Sequence, residues 1–168
     1  MDDGMNLISN ILAISAQTAP KAEGLSFLDI QTLDEAGKEI LVEELFQMAE
    51  EDEEYSLIGE VILDSDSVLL VGLNEHPPMG LDCKACGFQD CKELSKEKTV
   101  DIFEGPNCIY RVLDLGIALG SALKTADNFN IRGDIMIRAG LAAKHVGLST
   151  SRVVMAVPLY KEGSNAFF

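Results

Sequence analysis

Ser67-Val68-Leu69-Leu70-Val71-Gly72-Leu73 is the stretch that decides the fold. Val68 to Leu73 is the purest apolar run in the chain. It has the length of a strand, far short of the twenty or so residues that span a bilayer, and it reads as a buried strand. Upstream, Leu7, Ile8, Ile11, Leu12 and Ile14 fall at helical spacing, so a helix is predicted over Leu7 to Ala19, stopped by Pro20. Leu25 to Leu33 alternates imperfectly and reads as a strand. Asp34 is placed to cap a helix running to about Glu51, with Ile40, Leu41, Leu45 and Met48 as its apolar face. Glu50-Glu51-Asp52-Glu53-Glu54 reads as a solvated, frayed helix end, because anions oppose the dipole there. Tyr55 to Leu63 fits helix or strand.

Downstream, Asn74 to Gly80 with Pro77-Pro78 reads as a loop, and Lys92 to Lys98 as a charged connector. Ile109 to Ala126 is a long helix carrying Gly116, Gly120 and Ser121. Gly133-Asp134 starts another that runs to about His145 and closes at Gly147. Val153 to Leu159 is a last strand. Strands are too few for a doubly wound sheet. The expected class is α+β, a mainly antiparallel sheet sandwiched by helices, with an inserted cysteine-rich loop. The 168 residues fit one domain spanning 1–168.

The chain has 28 acidic and 13 basic residues, a net charge of −15. Such a charge repels DNA and RNA, so nucleic acid is not an expected partner. The acidic start at Met1-Asp2-Asp3-Gly4 does not resemble a secretory signal, and no membrane span is expected. The expected setting is cytoplasmic and reducing.

There clustered cysteines bind metal more often than they pair. The four cysteines are Cys83, Cys86, Cys91 and Cys108. Three lie within nine residues, and Cys108 follows after sixteen more. Structural zinc favours two close pairs of ligands, whereas a triplet plus one distal cysteine is nearer to iron–sulfur spacing. A 4Fe–4S cluster held by the segment at about 80–110 is the leading expectation. Zinc, and disulfides or free thiols, are the alternatives. Asn107 is the expected cap of the following helix, which would place Cys108 in its first turn, where the dipole favours a thiolate. Phe88, Ile109 and Tyr110 flank the ligands and could shield them or simply fill the core.

At these residues the chain resembles known proteins. Cys83-x-x-Cys86-Gly87-x-x-x-Cys91 with Cys108 looks like the 4Fe–4S motif of corrinoid-protein and electron-transport subunits. The stretches from Ile14 to Lys21, Asp114 to Ala122 and Gly140 to Leu148 resemble prokaryotic ferredoxin domain-containing proteins, over nearly the whole length. A fainter likeness, at Ala19-Pro20 and Gly147-Leu148, is to flavin-dependent nitroreductases. It implies a nitroreductase-like sandwich, FMN and a homodimer. Those enzymes open with arginines that grip the flavin phosphate, and here no arginine precedes Arg111. Lys21 is the early cation. Arg132 and Arg138, flanking Gly133-Asp134, complete the candidate anion or flavin-phosphate contacts.

The remaining residues have ordinary readings. His76 reads as a surface-loop histidine and His145 as a helix cap. Gly116 and Gly120 suit close helix packing, in the core or at a dimer interface. Ser149-Thr150-Ser151-Arg152 reads as cap and turn chemistry. The expected activity is single-electron transfer to a redox partner protein or a small-molecule acceptor. The alternatives are a flavin-dependent oxidoreductase fed by the cluster, or a zinc-stabilised interaction module.

Overall fold

A computed structural model of the chain describes residues 3–100 and 102–161. Its centre is β2, Ser67–Leu73, every residue of which is buried. β2 pairs antiparallel with β1 (Leu28–Thr32) on one side and with β6 (Val153–Tyr160) on the other. The short β5 (Arg132–Gly133) adds to the far edge of β6, giving the order β1-β2-β6-β5.

The two faces of β2 follow from its side-chain alternation. Leu69, Val71 and Leu73 pack with α1 (Asp3–Thr18) and α5 (Ile109–Asn128). Val68 and Leu70 pack with α2 (Glu35–Met48), α3 (Glu54–Asp64) and α6 (Ile137–His145). The result is the expected helix–sheet–helix sandwich. Burying a Val or Leu side chain is worth about 1.5–3 kcal/mol, so a strand covered on both faces is the strongest anchor available.

Local chemistry sets the helix ends. Asp34 accepts the Gly37 amide at 2.8 Å and caps α2. α2 buries Leu41 and Leu45, while Ile40 is 44% exposed. The acidic run spans a turn rather than a single frayed end. Glu54 opens α3, and Asp52 and Glu54 both pair with Arg138 of α6. The stretch that fitted either state, Tyr55 to Leu63, is helical within α3. Gly133 belongs to β5, paired with Leu159, and the helix after it begins at Ile137. Between β2 and α5 lies the insert. It holds a four-residue helix, α4 (Cys91–Leu94), and a hairpin of β3 (Thr99–Val100) and β4 (Glu104–Gly105).

Candidate metal centre

The cysteine loop is built by turn chemistry. Asp82, Lys84 and Gly87 take positive φ values of 47°, 61° and 88°. The Gly87 amide donates to the Lys84 carbonyl at 2.9 Å, closing a turn over residues 84–87 that carries Cys86. Asp82 accepts the Cys91 amide at 2.8 Å, and Asp90 caps α4 by accepting the Glu93 amide at 2.7 Å. These bonds run within the loop itself.

All four cysteines are free thiols. Cys83 is exposed, Cys86 and Cys91 are partly covered, and Cys108 is 5% exposed. Cys108 is itself the N-cap of α5 and makes no side-chain capping bond. Asn107 does not cap the helix. Its amide group donates to the Glu104 carbonyl at 2.7 Å, and its oxygen lies 3.1 Å from His76 Nε2.

Among the described residues, no three His, Cys, Asp or Glu side chains are gathered as a metal-holding group. The donor chemistry nevertheless suits an iron–sulfur cluster: four unpaired thiols, three on one loop, the fourth on a helix end. Metal sites commonly form only as ligand and chain fold together. A loop bonded chiefly to itself is the part of this molecule able to do so.

His76 departs from its surface-loop reading. It is 8% exposed, its ring meets Phe27 edge-on at 6.4 Å between centroids, and burial holds its pKa below the usual value. Phe27 in turn lies under the Arg111 guanidinium at 4.7 Å. Arg111 is 1% exposed, donates to the Ala22 carbonyl and pairs with Glu23 and Asp114. Arg152, read from sequence as turn chemistry, reaches both limbs of the insert. It donates to Glu75 at 3.2 Å and to the Pro106 carbonyl at 3.3 Å. A cleft of about 350 Å³ opens here, lined by His76, Pro78, Leu94, Pro106 and Arg152 among others. No local signal marks these contacts, because their partners lie about thirty to eighty residues away.

The three candidate phosphate contacts sit on three separate elements, and each is engaged. Lys21 donates to the carbonyls of Ala16, Gln17 and Ala19 at the end of α1. Arg132 pairs with Asp134, and Arg138 with Asp52 and Glu54 while lying over the Tyr55 ring. A phosphate dianion favours fixed cationic donors, and all three are already held by protein partners. His145 stands in the last turn of α6, as expected, and also contacts Glu44 of α2. Gly116 and Gly120 face open space on the outer side of α5. No helix among the described residues is long and apolar enough to cross a membrane.

The profile of a family described as "Uncharacterized protein containing a ferredoxin domain" matches residues 104–168. A protein of Archaeoglobus fulgidus, described as uncharacterized, is 38% identical over 169 residues, covering 99% of this chain and 92% of its own. Solved structures of similar fold include nitroreductase A of Vibrio parahaemolyticus, with a TM-score of 0.59 and 13% identity. Another is a Desulfovibrio desulfuricans nitroreductase in complex with FMN, with a TM-score of 0.61 and 12% identity. Each match covers 98% of this chain, which spans 61% and 76% of those two chains respectively. At such identities the likeness establishes the nitroreductase fold.

Proposed function

This chain belongs to the family of proteins containing a ferredoxin domain, and from that premise we propose that it is a small redox protein holding one 4Fe–4S cluster. Cys83, Cys86, Cys91 and Cys108 are the ligands in this reading, and the setting is cytoplasmic. The observation that carries it is the distribution of four free thiols, three on a self-bonded loop and one at the start of α5. A cluster there would supply reversible one-electron transfer. The protein's own contribution is to place the sulfurs, limit water around Cys108 and present an acidic surface. With a net charge of −15, that surface steers a basic partner protein toward the exposed loop.

The fold also suggests a flavin enzyme, but Lys21, Arg132 and Arg138 are each held by protein partners, so the redox-carrier reading stands first. The same four thiols would serve zinc in the interaction-module reading, and metal analysis separates the two. A homodimer is part of the proposal. α5 turns Arg111 and Asp114 inward and leaves Val112, Leu113 and Ile117 41%, 52% and 46% exposed, an inversion that suits a covered face.

The test is anaerobic purification followed by metal and flavin analysis, visible absorption and paramagnetic resonance. About four irons per chain and broad absorbance near roughly 400 nm are expected. A colourless protein with stoichiometric zinc would sink the cluster.

A further inference from the structure

We infer that His76 and Arg152 form a clasp across the base of the cysteine insert, and that this clasp is what places Cys108 for the other three ligands. The inference rests on the cluster reading above. Arg152 immediately precedes β6 and touches both limbs of the insert. Its backbone amide donates to Leu73 at 2.8 Å, and its carbonyl accepts from Glu104 at 3.1 Å. Its guanidinium holds Glu75 on the outgoing limb and Pro106 on the returning one. His76 and Asn107 add a second tie between the limbs at 3.1 Å. Residues 73–76 and 104–107 are thereby held side by side, and everything between them is a closed loop.

The roles in the second tie can be assigned. The Asn107 side-chain nitrogen already donates to Glu104, so the oxygen is the group facing His76. That oxygen only accepts, and so does the Pro77 carbonyl 3.4 Å from Nδ1; a neutral ring donates to one of them, and the shorter contact assigns the hydrogen to Nε2. His76 is fixed in turn by the Phe27 edge, and Phe27 by the buried Arg111. The body of the fold thus sets the position of Asn107, and Cys108 follows it directly in the chain.

The loop reports to the same clasp from the other side. Leu94, at the end of the short helix that begins with Cys91, is 4% exposed and lines one cleft with Pro106 and His76. Cys91 and Cys108 therefore flank the tied base, one anchored through Leu94 and the other through Asn107. Cys83 and Cys86 lie beyond, on the self-bonded turn. In this arrangement two ligands are set by the body and two close over the metal. His76 and Arg152 are positioning residues that donate nothing to the metal.

The experiment compares wild type, His76→Leu, His76→Gln and Asn107→Ala as full-length chains, purified anaerobically and reconstituted with iron and sulfide. Cluster release to a chelator is followed by absorbance. His76→Leu and Asn107→Ala should release iron about 10-fold faster than wild type, the lower end for loss of an outer partner of a metal ligand. His76→Gln, which can still donate to Asn107, should restore most of the difference. Thermal unfolding of the chelated, metal-free chains should fall modestly and alike for His76→Leu and Asn107→Ala, which remove the same hydrogen bond, and recover in His76→Gln. A wild type that binds no iron overturns the cluster reading and the clasp with it. Iron bound by wild type and released from His76→Leu at the wild-type rate overturns the clasp alone. A loss of metal-free stability in His76→Leu well beyond that of Asn107→Ala also overturns it, since His76 would then be ordinary packing. Should His76→Leu not fold, Asn107→Ala, altered at the opposite end of the same bond, decides between these outcomes.

Discussion

The sheet and the cysteine insert are ordered by different forces. β2 has six side-chain-bearing residues at 1% exposure or less, and both its neighbours are antiparallel strands paired along their length. The insert has Cys83 exposed, turns at positive φ and hydrogen bonds that mostly return to itself. One region is held by burial and folds without help. The other has its base tied to the body of the fold and its tip bonded chiefly to itself. Metal removal should therefore separate them, and the largest predicted effect does so. Cys86→Ser should reduce iron from about four per chain to near none. Its far-ultraviolet circular dichroism should match that of the metal-free wild type. Full iron retention in Cys86→Ser would remove that cysteine from the site. Collapse of the sheet on chelation would end the contrast itself.

A pair of glycine substitutions measures the same contrast from the packing side. A Cβ on Gly140 would lie 2.0 Å from the Val154 carbonyl oxygen, where α6 meets β6. Backbone must move to admit it, so Gly140→Ala should cost about 3 kcal/mol. Gly87, in the insert, has φ of 88° and nothing within 4 Å of an added Cβ. Gly87→Ala meets only backbone strain and should cost about 1 kcal/mol. Urea unfolding of the metal-free proteins reads both. Equal costs would mean that the insert is packed as firmly as the sheet.

This difference also governs what could be read from the sequence. Ser67–Leu73 is a strand over the expected residues because its apolar run leaves no alternative to burial. The Asp34 cap and the long α5 follow from local chemistry and were equally legible. Helix α6 starts later than Gly133-Asp134 suggested, because pairing of Gly133 with Leu159 outweighs a local helix-start signal. His76 beside two prolines has the composition of a surface loop, yet Phe27 and Asn107 enclose it. Arg111 and Asp114 lie on a helix whose pattern does not announce that its charges point inward. The four cysteines were legible as a set of free thiols. Their surroundings were not, since those arise from tertiary contacts.

The N-terminal half of the outer face of α5 sharpens the comparison, since it is apolar while facing outward. Ile109, Val112, Leu113 and Ile117 are exposed there beside Gly116 and Gly120. If that face is covered by a second copy, Ile117→Glu should weaken self-association at least about tenfold, equal to 1.4 kcal/mol. Sedimentation should then shift from twice the chain mass toward the single chain, with iron binding unchanged. A wild type that is monomeric at all concentrations would leave the face without this role.

The smallest effect concerns acid, and its sign can be worked out for each region. Burial lowers the pKa of His76 below its ordinary 6.5. The unfolded chain therefore takes up a proton below pH 6.5 that the folded chain refuses, and stability falls as pH drops through that range. The hydrogen bond from Lys144 lowers Glu104 below 4.5, so its contribution is complete above 4.5 and is lost at lower pH. Asp52 is lowered below 3.8 by its hydrogen bond to Arg138, so its contribution begins to be lost only below 3.8. Both groups at the base of the insert thus begin to respond before the α2–α3 turn does. Acidification from about pH 7 to about pH 5 should lower the protection factors of the Glu75, His76, Glu104, Gly105 and Asn107 amides, measured against the slower intrinsic exchange in acid, while β2 stays protected. His76→Gln has no group to titrate in that range and should abolish the change. If β2 loosens first, or if the variant keeps the wild-type pH response, His76 is not the acid-sensitive point of the fold.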